Sequence, residues 1–188
     1  MTDVENVSAH SVKAWLLAIR PKTFGVAVAP VLASLAVCLS DTGLINPVTA
    51  ALTALLAIVM QAITNMENDS GYTKRKAERT NRKGLPRATS LGLLSIKEVE
   101  IGILIASLIG VAITIYFIYL THWFFLLVTV ASIAAAYLYM GGPRPIAYTP
   151  YGEIVVFIFF GLVAAIGTYY LQVQDISVTI LIVGCALG

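Results

Sequence analysis

Apolar positions in this chain come in long runs, and the polar stretches between them are short and unevenly charged. The runs fall near Phe24–Ser40, Pro47–Asn65, Val99–Leu120, Trp123–Met140 and Ile154–Leu171. Each approaches the roughly 20 helical residues needed to cross a bilayer core, so the pattern predicts five full spans. A further run begins after Asp175, but "ISVTILIVGCALG" falls short of that length and predicts a truncated sixth span. Ahead of the first span, Ser11–Arg20 ("SVKAWLLAIR") is apolar on one side, with Trp15 there and basic residues at its edges. That makes 11–22 an interfacial segment, lying at headgroup level until Pro21 turns the chain inward. The expected fold class is all-α, a multi-pass transmembrane helical bundle, with 1–188 as a single membrane domain and 66–96 as a cytoplasmic loop. Within the third run, Gly102, Ala106 and Gly110 form a small-residue stripe suited to close helix packing.

Composition agrees with that solvent. The chain is 59% hydrophobic and only 12% charged, with a mean hydropathy of +0.87. Soluble domains carry about 25% charged residues, so the partner implied is a lipid bilayer and not a nucleic acid. The net charge of +2 matters less than where the charges fall. Lys13, Arg20 and Lys22 precede the first span, Lys74 to Arg87 and Lys97 lie between the second and third, and Arg144 lies between the fourth and fifth. The connections carrying Asp41, His122 and Asp175 have no Lys or Arg. All twelve basic residues therefore fall on one face. The positive-inside rule makes that face cytoplasmic and predicts a cytoplasmic N-terminus in the cell (inner) membrane. Met1–His10 is polar and acidic and does not read as a cleavable signal peptide.

Chemistry concentrates in "QAITNMENDSGYTKRKAERTNRKGLPRATSLG", Gln61 to Gly92, which holds seven of the twelve basic residues. Asn65 and Asp69 are four apart and share a helix face, with Asn68 on the adjoining one. Polar side chains near the end of a membrane helix face a cavity or a partner, because hydrocarbon cannot satisfy them. A carboxylate beside amide oxygens suits Mg²⁺ shared with substrate phosphates, and the basic residues that follow suit a polyphosphate. Topology and anionic headgroups alone also account for a basic loop, and helix-end Asn or Asp can simply cap. The residues by themselves leave both readings open. A transporter would carry ionisable groups near mid-membrane, whereas every acid here lies near a span end or in a loop.

Sequence order favours the phosphate site. "TNMENDSGY" followed by "ERTNRKGLPRATSLGLLS" resembles the first acid-rich motif and loop of the UbiA superfamily of intramembrane prenyltransferases. The likeness is strongest to the branch that prenylates 1,4-dihydroxy-2-naphthoate on the way to menaquinone. "AIRPKTFGVAVAPVLASLAV" is similar to that branch's N-terminal segment and first span, and "YMGGPRPIAYTPYGEIVVFIFFGLVAAIGTYYLQ" to its Gly-Gly-Pro loop and fifth span. The resemblance covers nearly all of 14–172. It implies a helical bundle with a cytoplasmic cavity and a Mg²⁺ cofactor. It also implies transfer of a polyprenyl group from an isoprenyl diphosphate to an aromatic acceptor. By the same resemblance Asn65, Asn68 and Asp69 are the catalytic residues and, with Glu78, the metal ligands. Arg79, Arg82, Arg87 and Arg144 match diphosphate-binding positions.

Two departures stand out. The motif's second Asp falls at Tyr72, a neutral phenol that does not replace a carboxylate at neutral pH. Family members have about nine spans and a second acid-rich motif after the sixth, whereas the only acid after Glu153 is Asp175. The resemblance thus implies a missing C-terminal half or second chain as partner, with a noncatalytic relic as the alternative to a self-sufficient enzyme. Tyr139, Tyr148 and Phe24 are candidate cavity walls, with interfacial anchoring the plainer role for the tyrosines. Cys38 and Cys185 sit in apolar segments and read as packing residues. Glu153 reads as a helix cap or a partner for Arg144.

Overall fold

The structure is a computed structural model that describes residues 7–76 and 86–188, and every described element is helical. α1 (Val12–Ile19) starts at Ser11, whose hydroxyl accepts the Ala14 N–H at 3.2 Å. It ends at Arg20, which adopts a left-handed φ of 55° and lets the 3₁₀ turn Pro21–Thr23 lead into α2 (Phe24–Thr42). Gly43, left-handed at φ 70°, stops α2. α3 (Pro47–Lys74) opens with Asn46 as N-cap, its side-chain oxygen accepting the N–H groups of Val48 and Thr49 at 3.1 Å each, and Pro47 at the first helical position. Such a cap contributes about 1 kcal/mol. α4 (Ile96–Leu120) begins with a reciprocal capping box between Ser95 and Glu98. α5 (Phe124–Met140) follows after a tight turn. α6 (Tyr151–Val156), a π-helical segment (Phe157–Val163) and α7 (Ala164–Val173) form one continuous rod, and α8 (Val178–Leu187) doubles back beside it.

Four helical segments are long and apolar enough to cross a membrane: Val12–Thr42, Pro47–Lys74, Ile96–Leu120 and Tyr151–Val173. α5 and α8 are shorter apolar helices. The 17 residues of α5 reach about 25 Å at 1.5 Å per residue, against a hydrocarbon core of about 30 Å. α1 is a helix separate from α2, with Arg20 and Pro21 between them, and the helix carrying the second span runs to Lys74, so the first nine residues of the expected loop 66–96 are helical.

α3 is the central element, packed against α1, α2, α4, α5 and α7. The small-residue stripe of α4 is what lets α1 and α3 close on it. A Cβ placed on Gly102 would lie 2.7 Å from the Trp15 ring and 3.3 Å from Met66 Sδ. Ala14 and Ala18 of α1 are fully buried in the cluster formed with Ile63, Met66, Val99 and Ile103. Between α4 and α5 the hydroxyls of Thr114 and Thr129 lie 2.6 Å apart, both buried. Such interhelical bonds contribute about 0.6 kcal/mol in a bilayer.

Candidate functional site at the polar end of α3

A cavity of about 340 Å³ runs between α2, α3, α5 and the α6–α7 rod. Phe117, Phe125 and Leu171 line it on one side of the bundle, Phe159, Phe160 and Val163 of the π-helical segment line its flank, and Gln61, Thr64, Asn65, Asn68 and Tyr139 line it toward the end of α3. The wall is apolar along most of its length and carries carboxamides at one end only. Chain periodicity explains this polarity. Positions 53, 57, 60, 61, 64 and 68 of α3 fall on one helical face, and only the last turns of that face are rich in amides. The volume falls within the range of small-molecule sites.

The three polar residues singled out from spacing have different surroundings. Asn65, 5% exposed, donates through Nδ2 to the Ile19 carbonyl at 2.8 Å and to Thr23 Oγ1 at 2.9 Å, and its oxygen accepts from Gln61 Nε2 at 3.3 Å. It fastens α3 to the corner between α1 and α2. Asp69 is fully buried, outside the cavity lining. Its Oδ2 accepts the Ala88 N–H at 2.8 Å, and its Oδ1 accepts the Thr89 N–H at 2.9 Å and the Thr89 hydroxyl at 2.6 Å. Only Asn68 is partly exposed and lines the cavity.

Beyond Asn68 the end of α3 gathers two loops. Arg75 donates through its guanidinium to the carbonyls of Gly71, Met140 and Gly142, fastening the Gly-Gly-Pro loop to the last turn of α3. The close approach depends on Gly71, where a Cβ would meet the Met140 carbonyl oxygen at 2.9 Å. Arg87, 6% exposed, places its guanidinium carbon 3.6 Å from the centre of the Tyr72 ring. A desolvated cation–π contact of this kind contributes up to about 2 kcal/mol. The Tyr72 ring in turn meets Tyr148 edge-on at 6.1 Å between centroids. Partial burial and then the neighbouring Tyr72 phenol push the Tyr148 pKa above its ordinary value. Arg144 is exposed on the same loop as Tyr148, and Glu153 lies exposed in the first turn of α6. Phe24 does not line the cavity. Glu78, Arg79 and Arg82 lie outside the described residues.

The profile of the UbiA prenyltransferase family matches residues 27–188. The chain belongs to the UbiA prenyltransferase family. It is similar to the 1,4-dihydroxy-2-naphthoate octaprenyltransferase of Escherichia coli K12, with 29% identity over 94% of this chain and 59% of that protein. It is 31% identical to the Haemophilus influenzae protein of the same name, over 95% of this chain and 60% of that protein. Similarity to the 2-carboxy-1,4-naphthoquinone phytyltransferase of Synechocystis sp. PCC 6803 is 30% over 88% of this chain and 53% of that protein. The chain thus spans about six-tenths of the first two relatives.

UbiA family members are generally metal-dependent. Of the oxygen donors expected to hold a metal, Asp69 is buried beneath three donors and Asn65 is bound to its neighbours, while Asn68 lines the cavity. Among the described residues, no group of three or more His, Cys, Asp or Glu side chains comes together. Sequence spacing missed Gln61, Thr23, Arg75 and the π-helical wall. The first three act across more than 35 positions of chain, and nothing local marks them.

Proposed function

We propose that this chain forms the prenyl-binding part of an enzyme that transfers a polyprenyl group from an isoprenyl diphosphate to an aromatic acceptor, 1,4-dihydroxy-2-naphthoate, in menaquinone biosynthesis. The observation that carries the reading is the cavity: one apolar tube with amides at a single end, and an arginine held one turn beyond them on Tyr72. An isoprenyl diphosphate has the same polarity, a long hydrocarbon tail and one highly charged head. The matched family and the printed activities of the relatives support the same class.

The chemistry follows from that fit. The allylic C–O bond of the donor breaks heterolytically, its electron pair leaves with pyrophosphate, and a delocalised carbocation stays in the cavity. An electron-rich ring carbon of the acceptor then forms the new C–C bond, and the ring regains aromaticity by losing the group it carried there. Asn68 faces the place where head and tail meet and can donate to a diphosphate oxygen. Arg87 supplies positive charge for the leaving group. Phe159, Phe160 and Tyr139 keep water from the cation. Asp69 and Asn65 act in this reading by holding the loop and the α1–α2 corner. Asp69 and Asn65, two of the four donors expected to bind Mg²⁺, are engaged elsewhere, so no step here is routed through a metal; Arg79, Arg82 and Arg144 remain proposed diphosphate contacts.

In the bilayer we read five spans, the α6–α7 rod being the fifth and α8 the start of a sixth, within a single domain. The N-terminus faces the cytoplasm of the inner membrane, following the one-sided distribution of Lys and Arg. The test is prenyl transfer by membranes holding this chain, with labelled isoprenyl diphosphate and 1,4-dihydroxy-2-naphthoate, and Asn68→Ala as control. Labelled product that falls at least about tenfold in the control, a loss of roughly 1.4 kcal/mol in transition-state stabilisation, is the expected result. Absence of product from abundant, inserted chain, with no binding of the labelled donor, overturns the reading. Donor binding without transfer supports the half-enzyme form of it.

A further inference from the structure

α1 has two sides of different chemistry. Ala14 and Ala18, four apart, are fully buried in the cluster shared with α3 and α4. Lys13, Leu16, Leu17 and Arg20, at the i, i+3, i+4 and i+7 positions of another side, line a surface groove that Val7 and Lys22 complete. Leu16 is 48% exposed, so apolar surface lies open in that groove. The left-handed Arg20 and the turn Pro21–Thr23 reverse the chain between α1 and α2, and this brings Lys22 to the groove that Lys13 lines.

Charge and depth together name the ligand. Lys13 and Lys22 are exposed, neither forms an ion pair among the described residues, and no residue lining the groove is acidic. The turn that carries Lys22 leads directly into Phe24, the first residue of α2, so the groove lies at headgroup depth where the first apolar run begins. A free anion would leave Leu16 and Leu17 uncovered, and a zwitterionic headgroup would bring its own cation to the two lysines. We propose that the groove binds one anionic phospholipid, its phosphate held by Lys13 and Lys22 and its first acyl methylenes laid on Leu16 and Leu17. The inner side of the same corner holds Asn65, whose amide donates to the Ile19 carbonyl at 2.8 Å and to Thr23 Oγ1 at 2.9 Å. A lipid seated outside therefore clamps the corner to which α3 is fastened. Neither the site nor the clamp rests on the transfer reaction proposed above.

The experiment titrates the full chain, in an uncharged detergent, with phosphatidylglycerol or phosphatidylcholine of matched acyl chains. Native mass spectrometry reads the bound lipid, and amide hydrogen exchange over 12–23 is followed in parallel. Wild type should retain one phosphatidylglycerol in preference to phosphatidylcholine, and exchange over 12–23 should slow when it does. Lys13→Gln combined with Lys22→Gln should lower the phosphatidylglycerol affinity about thirtyfold, the combined effect of two cations at a headgroup, and abolish the slowing. Lys97→Gln, which removes an exposed cation of α4 outside the groove, should change neither readout. Equal retention of the two lipids, or retention of none, overturns the site. So does a wild-type preference in the double variant, or an equal loss in Lys97→Gln, which would make basic surface at large the cause. Inorganic phosphate that displaces the lipid at equal concentration assigns the groove to a free anion and overturns the lipid. Binding as expected without slower exchange supports the site and overturns the clamp.

Discussion

Thr89 donates twice to one oxygen of Asp69, with its backbone N–H at 2.9 Å and its hydroxyl at 2.6 Å, while Ala88 donates to the other. A fully buried carboxylate with three donors is the peg on which the turn after the basic loop hangs, and Arg87 precedes that turn directly.

Asp69→Asn follows from this. An amide offers one carbonyl oxygen to three donors and turns an NH₂ toward at least one of them. Leaving a buried donor unsatisfied costs about 1–3 kcal/mol. The expected outcome is a chain whose unfolding free energy in detergent falls by that amount, with faster amide exchange over 86–92. Unchanged stability combined with lost activity would instead identify Asp69 as a ligand group.

Gly102→Ala tests the α1–α3–α4 junction. The added Cβ meets the Trp15 ring at 2.7 and 2.9 Å, so the indole must move off α4. In a Trp123→Phe background Trp15 is the sole fluorophore of its kind, since the chain has two Trp residues. Its emission should shift and stability should fall by about 1–3 kcal/mol, the usual cost of overpacking. An unshifted spectrum would place Trp15 elsewhere.

Tyr148 predicts a pH effect with a definite sign. Its folded pKa is raised, first by partial burial and then by Tyr72, so the fold favours the neutral phenol. That contribution is complete below the ordinary Tyr pKa of about 10 and is lost as pH climbs through the raised value. The difference in 295 nm absorbance between the wild type and Tyr148→Phe should show a midpoint above the ordinary one. Tyr72→Phe should bring that midpoint part of the way back. A midpoint at or below the ordinary value would contradict the geometry.

Much of the helical plan is legible in apolar run length, because a bilayer imposes both the composition and the extent of a helix. Pro47, Leu120 and Met140 mark ends visible in the pattern and present in the structure. The end of α3 was not visible. Polar Asn68, Asp69 and Ser70 read as the close of a span, yet the helix continues because its neighbours α4, α5 and the 86–92 turn cover those residues. Spacing also paired Asn65 with Asp69 on one face, which helical geometry supports. It could not assign their partners, since Ile19 and Thr89 lie 46 and 20 positions away. The π-helical stretch is equally silent, because Phe, Ile, Gly and Val in a row are as compatible with an α-helix.

That stretch has a consequence for how the chain tolerates change in length. A π-helical turn contains a residue more than an α-helical turn, so Phe157–Val163 holds a surplus that the α6–α7 rod can surrender. Removing one residue there can rewind the rod to regular α-helix while the registers of Tyr151–Val156 and Ala164–Val173 with their neighbours persist. The same deletion inside α4 would turn everything beyond it by about 100° and carry the Gly102 and Gly110 faces out of alignment. Insertion and deletion are therefore unequal along this bundle: the wall of the cavity carries its own slack, and the seam between α3 and α4 has none.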